Sequence, residues 1–250
     1  FMGWSTKPMQ SVSPQYEAEE KITVNGNVDL YAVVFNRTTE TDLTEDQLPQ
    51  VDIYKYKQVI FVGDSRTEFM ENVLTGMGES ATKNVKFVCS AGKGLDWFTT
   101  TGWAQLYSIV QHDSNSILSK KTAVIFNFGV NDLSKSADYA EYYNWIAPQL
   151  KSKGCELYFM SVNPVNRLML PNAGRADRSE AAVRSFNQYM KANLSSAYTY
   201  IDMYSYLKST GYSFASDHYG TGTVDDGLHY TTRTYKRIFA KCMDSLRVPA

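Results

Sequence analysis

The sequence has little cysteine, and its three copies are poorly placed for disulfides or for metal binding. Cys89, Cys155 and Cys242 lie far apart, follow no metal-ligand spacing and are odd in number, so they cannot all pair. Cys89 and Cys155 also fall inside apolar, strand-like runs. We therefore expect buried free thiols at these positions.

Excess charge and long apolar runs are missing as well. The 25 basic and 26 acidic residues give a net charge of −1 at pH 7, which leaves nucleic-acid binding without an electrostatic basis. No apolar run approaches the roughly 18 residues of a membrane span, so we expect no membrane insertion. The sequence shows no signal peptide and begins with Phe1 rather than Met. We therefore expect a part of a longer protein.

What the sequence does contain is the composition of a globular protein, with 43% hydrophobic and 20% charged residues. Its 250 residues suffice for one large domain or for an ordinary domain with a small module. The residue pattern favours the second arrangement, with a β-module at 1–36, a linker at 37–56 and a main domain at 57–250.

The first 36 residues predict short strands and turns. Asn25-Gly26 lies between the apolar segments Lys21–Val24 and Val28–Val34, which is a strong hairpin signal. The segments FMGWSTKP and VDLYAVV resemble the C-terminal half of a Listeria–Bacteroides repeat, a small β-module of bacterial surface proteins. The resemblance implies a secreted or cell-surface bacterial protein, and the alternative is a hairpin that decorates the main domain. Residues 37–56 are polar and acidic, as is typical of a linker.

From residue 57 the pattern alternates between apolar runs of strand length and helix-like stretches. Strands are predicted at Val59–Val62, Val85–Cys89, Ala123–Phe128, Leu157–Val162 and Tyr198–Met203. Helices are predicted at Glu68–Met77, Trp103–Gln111, Ala137–Lys153, Glu180–Asn193 and Thr232–Leu246, with a kink or restart at Pro148. This alternation predicts an α/β fold with a five-stranded parallel sheet covered on both faces. Active sites in such sheets lie beyond the carboxyl ends of the strands.

Polar and glycine residues follow the first three of these strands. Ser65 is predicted on a tight turn into a helix, where it is either a nucleophile near unpaired helix N–H groups or, like Asp64, a helix cap. Gly92 and Gly94 follow the second strand and either let a backbone N–H approach a ligand or form an ordinary loop. Asn131 follows the third strand as an oxyanion donor or a turn residue.

Asp226 and His229 stand three residues apart on a predicted loop before the last helix. That spacing lets the carboxylate accept a hydrogen bond from one imidazole nitrogen while the other nitrogen faces a serine. Each signal is weak alone, but their order along the chain resembles the SGNH, or GDSL, hydrolase family, whose name gives Ser, Gly, Asn and His. The resemblance spans about residues 57–247.

The resemblance implies a flavodoxin-like three-layer α/β/α sandwich. It also implies an esterase, lipase, thioesterase or carbohydrate deacetylase that needs no metal or cofactor. The matching positions are Ser65 (nucleophile), His229 and Asp226 (the rest of the triad), and the Ser65 N–H, Asn131 and either Gly94 or Gly92 (oxyanion hole), with Gly94 slightly favoured.

Three further residues bear on the substrate. Arg66 stands where the family often has Leu or Ile, and it either binds an anionic substrate group or ties down a neighbouring loop. Trp97 and Trp103 either line a sugar-binding cleft or belong to the core.

With the surface module, these residues favour a carbohydrate O-acetyl esterase acting on acetylated polysaccharide or another small-acyl ester. The alternatives are an O-acyltransferase on the same site, a lipase or long-chain esterase, and a non-catalytic glycan-binding surface protein. The sequence carries no signal for an oligomeric state.

Overall fold

Strands form two separate sheets in the computed structural model, which describes residues 1–52, 55–113, 121–215, 221 and 224–246. Strand β1 (Gly3–Ser5) pairs antiparallel with β2 (Tyr31–Val33). The large sheet contains β3 (Tyr56–Gly63), β4 (Val85–Cys89), β5 (Lys121–Asn127), β6 (Cys155–Met160) and β7 (Tyr198–Ile201). All its pairs are parallel, in the order β4-β3-β5-β6-β7. The predicted five-stranded parallel sheet is confirmed.

Helices cover both faces of the large sheet. They are α1 (Ser65–Met77), α2 (Leu95–Trp97), which continues through a π-helical stretch (Phe98–Gly102) into α3 (Trp103–Asp113), α4 (Ser136–Ser152), α5 (Glu180–Asn193), α6 (Met203–Thr210) and α7 (Thr232–Ser245). Helices α1, α6 and α7 pack on one face, and α3, α4 and α5 pack on the other. This is the predicted three-layer α/β/α sandwich. Within the described residues, no helix is both long and apolar enough to cross a membrane.

The second half of strand β3, Val59–Val62, is continuously apolar because it is buried on both faces. Val59 and Phe61 face the core under α1 and α7, whereas Ile60 and Val62 face the core under α3, α4 and α5. Because both faces are buried, each position from Val59 to Val62 needs an apolar side chain. Polar residues therefore appear where the strand ends, at the carboxyl edge of the sheet.

The strand order reverses around β3. The chain passes from β3 to its neighbour β4 and then crosses to β5 on the other side of β3. Connections that leave a strand in opposite directions open a crevice between the loops at its carboxyl end. The loops that follow β3, β4 and β5 therefore meet at this crevice.

The predicted hairpin at residues 21–34 is wrong, because Lys21–Val24 forms no strand and β2 pairs with β1 instead. Met2 and Val33 are buried in the core, whereas Val24 and Val28 are exposed, so core burial stabilises the pairing of β1 with β2.

Three other local predictions also changed. The strand predicted at Tyr198–Met203 ends at Ile201, because Asp202 caps helix α6, which begins at Met203. Pro148 lies inside an uninterrupted α4. The cysteines are free, but Cys89 is only half-buried.

Residues 37–52 pack against the main domain. Leu48 and Val51 join the core cluster under α7. The buried carboxylate of Glu40 accepts hydrogen bonds from Thr234 and from Arg237, whose Nη1 lies 3.0 Å away. The segment is thus held by apolar burial and by a buried ion pair, while the predicted domain boundaries stay predictions.

Glu40→Gln should lower the free energy of unfolding by about 3 kcal/mol, because the buried Arg237 guanidinium would lose its counter-charge. Asp42→Asn is the matched control. Asp42 pairs with Lys236 on the same helix at 2.7 Å, but its side chain is 50% exposed and that of Glu40 is 0% exposed. The control should cost less than about 1 kcal/mol. Urea unfolding measures both values, and equal losses would contradict the expectation.

Candidate active site

Ser65 lies at the carboxyl end of β3, where the strand turns directly into α1. Asp64 caps the helix, because its carboxylate accepts from the Arg66 N–H at 3.0 Å. A side chain at Gly63 would collide with Thr67, so the turn requires glycine. With Asp64 as the cap, the Ser65 hydroxyl is left for other partners.

The structure brings Ser65, His229 and Asp226 together in one chain of hydrogen bonds. Ser65 Oγ lies 2.9 Å from His229 Nε2, and His229 Nδ1 lies 2.7 Å from Asp226 Oδ2. The other carboxylate oxygen, Oδ1, accepts from the backbone N–H groups of Leu228 and His229 at 2.9 and 2.8 Å. The three residues are only 5%, 2% and 0% exposed, in that order. They have the spatial arrangement of a nucleophile, a base and an orienting acid.

The surroundings keep the imidazole neutral and the carboxylate charged. Burial lowers the pKa of His229 below its ordinary 6.5 and outweighs the opposing hydrogen bond and charge of Asp226. For Asp226, burial favours the protonated acid, but hydrogen bonds from the His229 side chain and from two backbone N–H groups hold its pKa below the ordinary value. The Phe69 ring stacks on the imidazole with centroids 4.2 Å apart. A neutral imidazole facing a serine hydroxyl can take its proton.

The loops after β4 and β5 meet at Gly94. Asn131 Nδ2 donates to the carbonyl of Lys93 at 2.8 Å, and the Leu95 N–H donates to Asp132 Oδ2 at 2.9 Å. A side chain at Gly94 would collide with the Asp132 carboxylate. Asn131 therefore lies beside the segment that contains Gly94, and the second hydrogen of its amide is left for another acceptor.

Gly92, the other candidate glycine, lies in an exposed turn with φ +70° and open space around its Cα. This left-handed backbone explains why glycine is used there. Asn131 and Asp132 bond Lys93 and Leu95, the residues on either side of Gly94, whereas Gly92 lies outside this segment.

Arg66 ties down a loop, which favours this alternative over the binding of substrate. Its guanidinium is buried and donates to the backbone carbonyls of Leu228, Asn163 and Pro164 at 2.9, 2.8 and 2.8 Å. These bonds connect the start of α1 with the loop that contains Asp226 and with the loop after β6. Arg66 thus stabilises the two loops beside the catalytic residues.

Trp97 and Trp103 are half-buried and pack against the core under α3, α4 and α5. The Trp97 ring lies 6.1 Å from that of Phe128, and the Trp103 ring lies 5.3 Å from that of Tyr107. Among the contacts of the described residues, none joins either tryptophan to Ser65. Their role in a sugar-binding cleft stays a prediction.

Sequence reasoning missed two arginines in the loop between β6 and α5. Arg178 donates to the Val130 carbonyl at 2.6 Å and to Asn131 Oδ1 at 2.9 Å. Since Arg178 binds the amide oxygen of Asn131, it fixes which end of that side chain donates. Arg175 donates to Asp226 Oδ2 at 3.1 Å. The available signal was the position of both arginines after the fourth predicted strand. In so long a loop, however, the sequence does not indicate which partners each side chain contacts.

The described residues contain no group of three or more His, Cys, Asp or Glu side chains placed to hold a metal ion. The chemistry that the arrangement itself supports is nucleophilic. Ser65 can attack a carbonyl carbon, His229 can move the proton, and Asn131 has a spare N–H donor.

The profile of the family described as GDSL-like Lipase/Acylhydrolase matches residues 59–242. A protein described as an SGNH hydrolase from Slackia heliotrinireducens is 13% identical with a TM-score of 0.52, over 77% of this chain and 100% of that chain. This similarity shows the fold alone. No curated protein sequence matches the chain.

Two other solved structures have lower TM-scores. A protein described as an acylhydrolase from Bacteroides fragilis is 16% identical over 80% of this chain and 92% of that chain, with a TM-score of 0.49. An acetyl xylan esterase is 11% identical over 76% of this chain and 100% of that chain, also with a TM-score of 0.49. Similarity at this level carries no argument about activity.

A fluorophosphonate, which phosphonylates activated serine hydroxyls, should modify the protein once, at Ser65. Because burial lowers the pKa of His229 below 6.5, the rate should reach half its plateau value at a pH below about 6.5. Intact-mass and peptide mass spectrometry give the site and the rate. His229→Ala should slow labelling by about 100-fold or more, and Ser65→Ala should not label. Preferential labelling of another serine would contradict the assignment.

Proposed function

Because the chain belongs to the GDSL-like lipase/acylhydrolase family and is a serine esterase, we propose that it removes acetyl or other small acyl groups from carbohydrates. The observation that carries the proposed mechanism is the hydrogen-bonded chain from Ser65 Oγ through His229 to Asp226, with distances of 2.9 and 2.7 Å.

In the first half of the reaction, His229 Nε2 takes the proton of Ser65 as Oγ attacks the ester carbonyl. Asp226 holds the imidazole in the tautomer with hydrogen on Nδ1 and stabilises its protonated form. The imidazolium then gives the proton to the leaving alcohol, and an acyl-Ser65 remains. In the second half, His229 takes a proton from water, whose oxygen attacks the acyl carbon, and the carboxylic acid leaves as Ser65 regains its hydrogen.

The oxyanion formed in both halves needs donors at the carboxyl edge of the sheet. The Ser65 N–H at the start of α1, the Gly94 N–H and the free Nδ2 hydrogen of Asn131 are the proposed set. The contacts that hold Gly94 beside Asn131 support Gly94 over Gly92. Each such donor typically lowers the barrier by about 3 kcal/mol.

The surroundings of the triad favour a small acyl group. Ser65 and His229 are almost wholly buried. The side chains next to the triad and Asn131 include the cationic Arg175 and Arg178. A long acyl chain would instead need an extended apolar wall beside the nucleophile. A short acyl group on a polar alcohol fits these neighbours better.

A secreted or cell-surface location in a bacterium belongs to the same proposal. It is supported by the resemblance of FMGWSTKP and VDLYAVV to half of a surface repeat. An extracellular polymer, such as acetylated plant cell-wall polysaccharide or peptidoglycan, would then be the natural substrate.

Asn131→Ala should lower kcat for p-nitrophenyl acetate by about 100-fold with little change in KM, because the lost donor acts mainly in the transition state. Steady-state kinetics measure both constants. Asn27→Ala, in the N-terminal segment, is the matched control and should behave like the unaltered protein. Ser65→Ala should abolish turnover. A rise in KM alone for Asn131→Ala would argue against an oxyanion role.

Acyl-chain preference tests the substrate class. The kcat/KM for p-nitrophenyl acetate should exceed that for p-nitrophenyl palmitate on the order of 100-fold, and acetate should be released from acetylated xylan. Chromatography of the released acid, with Ser65→Ala as the blank, measures this. A preference for the long chain would support a lipase. Transfer of the acetyl group to an added sugar in place of water would support an O-acyltransferase.

A further inference from the structure

Arg175 reaches the triad from the loop between β6 and α5. Its Nη2 donates to Asp226 Oδ2 at 3.1 Å, and this is the oxygen that His229 Nδ1 contacts at 2.7 Å. Nη2 also lies 3.5 Å from Nδ1 itself. The guanidinium and the imidazole therefore share one carboxylate oxygen and lie side by side.

The loop is held in place by bonds near its start and by a bond within it. Near its start, Arg66 donates to the carbonyls of Asn163 and Pro164, and the Asn166 N–H donates to the Gly227 carbonyl at 2.8 Å. The Arg175 N–H itself donates to the carbonyl of Leu170 at 2.8 Å. These bonds stabilise the loop, and the Arg175 guanidinium lies beside Asp226 and His229.

We infer that Arg175 is a positioning residue of the proposed esterase reaction, which holds Asp226 and extends the activity of the His229 base to more acidic pH. The inference rests on the proposed function. The sharing of Oδ2 has two effects. Arg175 is a fourth hydrogen-bond donor that orients Asp226. Its positive charge beside the imidazole also opposes protonation of His229.

Other charges act on the same imidazole. The charges that act on His229 are Asp226 on its own loop, Arg175 on the β6–α5 loop and Arg66 at the start of α1. Farther out, Asp225 acts on Asp226, and Asp64 and Arg178 act on Arg66. Burial lowers the pKa of His229 most, Asp226 opposes this, and Arg175 and Arg66 lower it further. Arg66 also ties three backbone carbonyls, so its replacement would disturb the loops. Arg175 is the cation whose charge can be removed more selectively.

The test is the pH profile of kcat/KM for p-nitrophenyl acetate. Arg175→Gln should move the acidic limb to higher pH, so that the ratio of kcat/KM at pH 5.5 to that at pH 8 falls about fivefold. Arg175→Lys keeps the charge and should keep most of this ratio. Arg167→Gln is the matched control, since Arg167 lies on the same loop but binds Asp177 and Glu19. Its profile should not move.

A second measurement needs no variant. The Arg175 side chain is 36% exposed and that of Asp226 is 0% exposed, so salt screens the arginine more than the carboxylate. Raising NaCl from about 0.05 to 1 M should therefore move the acidic limb of the unaltered enzyme to higher pH. An unmoved limb, or one that moves to lower pH, would overturn the inference.

The kinetic outcomes separate this inference from the proposed function. A rate loss for Arg175→Gln that is equal at every pH would reduce Arg175 to a structural role and overturn the inference alone. Turnover retained by Ser65→Ala would overturn the proposed function itself.

Discussion

The buried carboxylate of Asp226 is the group around which the carboxyl edge of the sheet is organised. It accepts from two backbone N–H groups of its own loop, from the His229 ring and from Arg175. A buried charge is tolerated only when its oxygens are fully bonded. The need to satisfy this one carboxylate therefore fixes the loop before α7, the tautomer of the imidazole and the end of the β6–α5 loop. The position of His229 beside Ser65 follows from these bonds.

The sheet could be predicted from the strong local pattern of apolar strands, whereas the triad followed from individually weak signals whose order along the chain resembles that of a known family. Apolar strands buried on both faces leave polar residues at their carboxyl ends, so Ser65 and Asn131 stood out by position. Asp226 and His229 were close in sequence and chemically specific. Ser65 and His229 are 164 positions apart in sequence. The parallel topology, which the alternation of strands and helices predicts, brings them together at one edge of the sheet.

The predictions that failed concern contacts that depend on distant burial. The pairing of β1 with β2 is stabilised by burial of Met2 and Val33 in a core formed mostly by later residues. The Asn25-Gly26 turn signal carried no information about that core. Arg175 and Arg178 were missed for the same reason, since their partners lie in loops that follow other strands. The Arg66 departure from the family pattern was noticed, but only the structure shows that its three acceptors are backbone carbonyls.

The packing of the first 52 residues has a consequence for how this protein can be recombined with others. Leu48 and Val51 fill the core under α7, Glu40 neutralises Arg237, and Lys208 Nζ donates to the Met2 carbonyl. A gene fusion that cut the chain at the start of β3 would leave an apolar groove and an unpaired guanidinium facing solvent. The unit that can be exchanged between proteins is therefore larger than the hydrolase fold, because it must include the N-terminal residues that pack against that fold.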